Sequence, residues 1–98
     1  MSTPEAELKK DIKRYLDGIG AYWSMIKGGA HSKPGDPDMI ACVRGRFVGI
    51  EAKTYDGVQS NIQKMRQRQI EDAGGIYVLA RSVDDVSEAV DKIFKVRW

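Results

Sequence analysis

The residues of this chain best suited to chemistry are Asp38, Glu51 and Lys53, with Asp36 beside them. Two apolar stretches, 38–43 and 46–53, flank Arg44-Gly45, so they read as a hairpin with a two-residue turn. Val43 then pairs with Arg46, which sets Asp38 opposite Glu51 and Asp36 opposite Lys53. Directly opposed side chains have Cβ atoms roughly 4.5–5.5 Å apart. Glu51 and Lys53 are two apart on one strand and share a face. Opposed carboxylates repel, so a compensating charge is required. Lys53 supplies part of it, and a divalent cation would supply more. Ligands that are all oxygen favour Mg²⁺ or Mn²⁺ over zinc. Such an ion polarises a phosphoryl oxygen and acidifies a bound water. Lys53 would orient or deprotonate that water, or stabilise developing charge.

A third acidic group can come from the first helix. Thr3 is a suitable N-cap and Pro4 a suitable first helical residue. Leu8, Ile12, Tyr15, Leu16 and Ile19 recur at helical spacing, and Gly18 and Gly20 end the segment. Glu5 extends this inward stripe, whereas Glu7 points away. Two readings of Glu5 stand side by side: a site residue, or an acid that complements the helix dipole. Glu7, two residues on in the same first turn, is the alternative.

The other elements follow from periodicity and breakers. Residues 21–26 read as a strand and 27–37 as a Gly- and Pro-rich loop. After a polar connection over 54–61, a helix from about 60 to 73 would turn Ile62, Met65, Ile70 and Ala73 to the core. Gly74-Gly75 stops it, and Ile76 to Ala80 is an apolar run of strand length. Ser82, with Asp85 three residues on, opens a last helix with Val83, Val86, Val90, Ile93 and Phe94 as its buried stripe. The order αβββαβα implies an α/β sandwich with a mixed sheet flanked by helices.

Composition narrows the function classes. A chain of 98 residues suits one domain, here 1–98, with one modest core. Hydrophobic residues at 42% and charged residues at 31% fit a globular protein rather than a disordered one. One cysteine, Cys42, and one histidine, His31, exclude an internal disulfide and a Cys/His zinc site. A lone cysteine suits a reducing cytoplasm. No apolar run approaches the ~20 residues that span a membrane, and the N-terminus lacks a signal-peptide core. The net charge of +2 is too small to establish nucleic-acid binding.

Assembled in order, these features resemble a known pattern. Pro37-Asp38 followed by Glu51-Ala52-Lys53 looks like the PD-(D/E)xK nuclease signature, in its expected context of helix, strand, hairpin, helix and strand. The match is closer to the virus-type replication-repair nuclease (VRR-NUC) domains. It includes Glu5, Gly35-Asp36-Pro37-Asp38, Glu51-Ala52-Lys53, Gln63, Ala73-Gly74-Gly75 and Ala80-Arg81-Ser82-Val83, and it covers nearly the whole chain. The resemblance implies a restriction-endonuclease-like core and Mg²⁺- or Mn²⁺-dependent cleavage of DNA. It implies metal ligands at Asp38, Glu51 and the Ala52 carbonyl, with Glu5 acting through water. Lys53 takes the catalytic-lysine place and Gln63 the helix-glutamine place, although Gln59 and Gln67 lie one turn away. It further implies a homodimer acting on Holliday junctions or other branched DNA, in a bacterial cell or phage-infected host. Flaps, nicks, plain duplex, or DNA binding without catalysis remain alternatives.

Several of the remaining residues admit more than one reading. His31 is a surface loop residue, a contact to DNA phosphate or a general base. Lys27 and Lys33 in the loop, Arg44 and Arg46 at the turn, and Lys64, Arg66 and Arg68 on the second helix bind phosphates or form a solvated surface. No base-reading motif is present, so recognition would be by shape and backbone. Cys42 reads as small core packing, and Trp23 and Trp98 as core and terminal packing.

Overall fold

A computed structural model describes residues 3–95. Trp98 lies outside the described residues. The elements are α1 (Pro4–Gly18), β1 (Tyr22–Met25), β2 (Met39–Val43), β3 (Arg46–Ala52), α2 (Asn61–Asp72), β4 (Ile76–Ala80) and α3 (Val83–Lys95). This is the αβββαβα order read from the sequence.

The strands form one mixed sheet in the order β1-β2-β3-β4. β1 and β3 flank β2 in antiparallel fashion, and β4 runs parallel to β3 after the α2 crossover. The β2–β3 register pairs Val43 with Arg46 and Met39 with Ile50. Arg44 and Gly45 both have positive φ, at 50° and 81°. Two left-handed residues in a two-residue loop match the right-handed twist of the strands and lock the register.

The first helix starts as its sequence dictates: Thr3 Oγ1 accepts from the Ala6 amide at 3.1 Å, and Pro4 follows. The α3 start differs in detail, because Asp85 reaches back to the amides of Arg81 and Ser82 at 2.8 and 3.3 Å.

The apolar core lies on one sheet face. Met39, Ala41, Val48, Ile50, Ala52, Val78 and Ala80 meet Ile12 and Leu16 of α1 and Val86, Val90 and Ile93 of α3. Phe94 departs from the expected stripe: it is exposed, with the Arg44 guanidinium 5.1 Å from its ring centre. Trp23 packs on the edge of the core, and its Nε1 donates to Asp17 Oδ1 at 2.7 Å.

The other sheet face is covered by α2, and here the sequence reading fails. Ile62, Met65 and Ala73 are exposed, and the one fully buried residue of α2 is Gln63. The apolar contact of the helix with the sheet is made by Ile70, which lies over two glycines. A Cβ on Gly49 would stand 3.1 Å from Ile70 Cδ1, and one on Gly75 would stand 2.9 Å from Ile70 Cγ2. Rotating Ile70 inward carries Ile62 and Met65 out. Cys42 is also exposed, because it lies at the end of this thinly covered face rather than in the core. Among the described residues no helix is long and apolar enough to cross a membrane.

Candidate metal centre

Asp38 and Glu51 are brought together where β2 and β3 meet α1, α2 and the 27–37 loop. Both are buried, at 2% and 1% exposure. The β2–β3 ladder ends at Met39↔Ile50, and the next residues along, Asp38 and Glu51, meet at its end around the shared Lys27 ammonium. Asp38 is fixed by the sheet itself. Its Oδ2 accepts from the Ala52 amide at 2.7 Å, and its carbonyl accepts from the amides of Ile26 and Lys27. In an extended strand the N–H and C=O of one residue face the same neighbour. The Ala52 carbonyl therefore faces the Asp38 side.

Glu51 is oriented from the helix. Gln63 Nε2 donates to Glu51 Oε1 at 3.2 Å. Gln63 Oε1 accepts from the Ser60 amide at 2.8 Å, and the Gln63 amide donates to Ser60 Oγ at 3.2 Å. This capping box both starts α2 and aims Gln63. It also separates the three glutamines. Gln59 instead bonds Gln67 at 3.0 Å and the Tyr77 hydroxyl at 3.2 Å.

One oxygen of each carboxylate, Asp38 Oδ1 and Glu51 Oε2, faces a cation. Lys27 Nζ lies 3.6 Å from the first and 3.3 Å from the second. Lys9 Nζ lies 3.6 Å from Asp38 Oδ1 and 3.6 Å from Glu5 Oε2. Glu5 thus joins the site at one remove, through Lys9, while Glu7 is exposed. Burial, followed by the neighbouring Asp38, pushes Glu51 from 4.5 up to about 7, and Lys27 offsets only part of this. Burial pulls the Lys27 ammonium down, but Glu51 and then Asp38 outweigh it and its pKa is raised.

Among the described residues, the ion pairs to Asp38 and Glu51 come from Lys9 and Lys27 and not from the other expected residues. Lys53 follows β3, half-buried, with its amide bonded to the Ala80 carbonyl at 2.9 Å and its stem against Gly57. No described carboxylate pairs with its ammonium. Asp36 is not opposite Lys53. It turns back to the Lys33 amide at 2.8 Å and lies 3.7 Å from Arg66 Nε, so it ties the loop to α2. The chain leaves the ladder before Asp36, which removes the pairing that simple extension of the hairpin implies. His31 and Lys33 are exposed on the loop, and Lys64 is exposed on α2. Sequence reasoning missed Lys9 at the carboxylates. Its position four residues after Glu5 and beside Leu8 was the available signal. Lys27, expected from the sequence as a phosphate contact, is a partner of both acids.

The donor set fits a hard dication. Among the described residues no group of three or more His, Cys, Asp or Glu side chains is arranged to hold a metal. Mg²⁺ does not need one, since it keeps several waters and binds through one or two carboxylates plus substrate oxygens. Two buried carboxylates with a nearby carbonyl supply that set. The pair already gathers two ammonium groups at contacts longer than the ~2.7–2.9 Å of a strong charge-assisted bond.

Comparison with solved structures bears on the fold. One structure, named "VRR_NUC domain", superposes with a TM-score of 0.74, covering 99% of this chain and 100% of that one, at 18% identity. This chain has the VRR_NUC fold. No protein-family model and no curated protein matches it. In this VRR_NUC fold the mixed sheet and flanking helices have the restriction-endonuclease-like arrangement expected from the sequence.

Proposed function

We propose that residues 1–98 form a divalent-metal-dependent DNA endonuclease domain that hydrolyses phosphodiester bonds in branched DNA, Holliday junctions included. The observation that carries this reading is the buried Asp38–Glu51 pair, with one oxygen of each turned to a cation, in a chain of VRR_NUC fold. Asp38, Glu51 and the Ala52 carbonyl would hold Mg²⁺ or Mn²⁺, with Glu5 assisting through water. When bound, such an ion supplies Lewis acidity at a phosphoryl oxygen and lowers the pKa of a coordinated water.

The chain's own residues do the rest. Gln63 holds Glu51 in place. Lys53, which directly follows the strand that carries Glu51, would take or steady the proton as water attacks phosphorus and one P–O ester bond breaks. Lys27, His31, Lys33 and Lys64 would contact phosphates from the loop and α2. A homodimer would set two such sites on two strands. Support for it comes from exposed apolar residues on and before α2: Tyr55, Val58, Ile62 and Met65. The setting would be the cytoplasm of a bacterial cell or phage-infected host.

The test is a cleavage panel of four-way junctions, flaps, nicked and plain duplexes, and single strands, with Mg²⁺ or Mn²⁺. Lys53→Ala and Asp38→Ala should abolish cutting while junction binding survives. Full cleavage by Asp38→Ala refutes the site. Binding with no cleavage of any substrate by the wild-type chain favours a non-catalytic DNA-binding module.

A further inference from the structure

Resting on that reading of the carboxylate pair, we infer that Lys27 is a built-in competitor for the metal, so that a dication binds by displacing its ammonium. Lys27 Nζ touches both oxygens that remain unclaimed by hydrogen bonds within the sheet and helix, Asp38 Oδ1 at 3.6 Å and Glu51 Oε2 at 3.3 Å. An ammonium in contact with both cannot share that position with a second cation. Lys9 differs, because it reaches Asp38 alone and is held by Glu5 on its other side.

The displacement needs only side-chain rotation. The Lys27 amide is anchored to the Asp38 carbonyl at 3.3 Å, which fixes the base of the side chain. The side chain itself is 47% exposed, so its outer end has a route to water. Once moved, the ammonium stays tethered at the mouth of the site, where it can meet a phosphate of bound DNA. The same residue thus serves two anions in turn: the paired carboxylates without metal, and the substrate backbone with it.

The test is Mn²⁺ binding to the full chain by calorimetry, without DNA, for the wild type, Lys27→Met and Lys33→Met. An opposite charge in contact changes a carboxylate's affinity for a proton by about tenfold or more. Loss of the competitor should therefore tighten Mn²⁺ binding by about tenfold in Lys27→Met, while the loop variant Lys33→Met binds like the wild type. Equal or weaker binding by Lys27→Met overturns this inference and leaves the nuclease reading standing. Absence of Mn²⁺ binding by every form overturns both. If Lys27→Met does not fold, the wild type carries the test through acetylation of its lysines, read by peptide mass spectrometry. Mn²⁺ should raise modification of Lys27 relative to Lys33, and an unchanged or lowered ratio overturns the inference.

Discussion

Replacing Glu51 with glutamine should make the metal-free protein less sensitive to pH. Glu51 is 1% exposed and its pKa rises from 4.5 to about 7, by burial first and by Asp38 second. A carboxyl with a raised folded pKa binds its proton more tightly in the folded state. Folding is therefore favoured at pH values below 4.5, and that advantage is lost as pH rises through about 7. At ~1.4 kcal/mol per tenfold change, the loss across this window is on the order of 3 kcal/mol. Glu51→Gln removes the titration while keeping the shape and a carbonyl that can accept from Gln63. Urea unfolding at pH 5, 6, 7 and 8 in chelator would show wild-type stability falling relative to Glu51→Gln, with most of the divergence complete by pH 8. Parallel stability curves would refute the claim that the fold strains to ionise Glu51. The variant should also lose Mn²⁺ binding and cleavage, a trade of function for stability.

Four further outcomes follow from the same geometry. Mn²⁺ binding at pH 6 should release close to one proton and at pH 8.5 almost none, because ligation requires ionised Glu51; calorimetry in buffers of different ionisation enthalpy reads this directly. Ser60→Ala should cost about 1 kcal/mol in chemical denaturation through the lost cap, and should slow cleavage because Gln63 loses part of its alignment on Glu51. Gly35→Ala should destabilise by about 2 kcal/mol or more, since φ is +84° and the new Cβ would lie 2.7 Å from the Ile62 carbonyl oxygen. Lys33→Ala and Lys64→Ala should each weaken DNA binding across sequences and reduce the salt slope by about 1, as measured by fluorescence anisotropy.

Much of the site was legible in the sequence because a two-residue turn leaves no freedom in register. Once Arg44-Gly45 is the turn, the meeting of Asp38 and Glu51 at the end of the ladder follows. The neighbouring inference for Asp36 and Lys53 failed because it assumed the ladder continues. Pro37 lacks an N–H to donate, and Asp36 finds the Lys33 amide and Arg66 instead. The burial of α2 was misread for a related reason. Periodicity counts apolar residues, but the close approach at Gly49 and Gly75 is made by Ile70, with Gln63 buried near the other end. A polar residue on a helix's buried face is invisible to a hydrophobic pattern. Lys9 and Lys27 were hidden differently, since long cations on a helix face and in a loop carry no signature of where their ends arrive.

The two faces of the sheet divide the work of the molecule. One face carries the apolar core against α1 and α3 and can supply the stability of the fold. The other is covered by a single helix that buries one glutamine fully and leaves Ile62 and Met65 outside. β3 belongs to both, with Val48, Ile50 and Ala52 facing the core and Glu51 facing the helix. A carboxylate whose ionisation is costly can persist there because its strand is already held from the opposite side. If α2 were packed as fully as α1 and α3, the pair would be sealed from anything outside the protein. If α2 were absent, Glu51 would lose Gln63, lie in water and titrate as an ordinary acid, with less need of a cation. The thin cover is therefore what makes the carboxylates both demanding of positive charge and reachable by it.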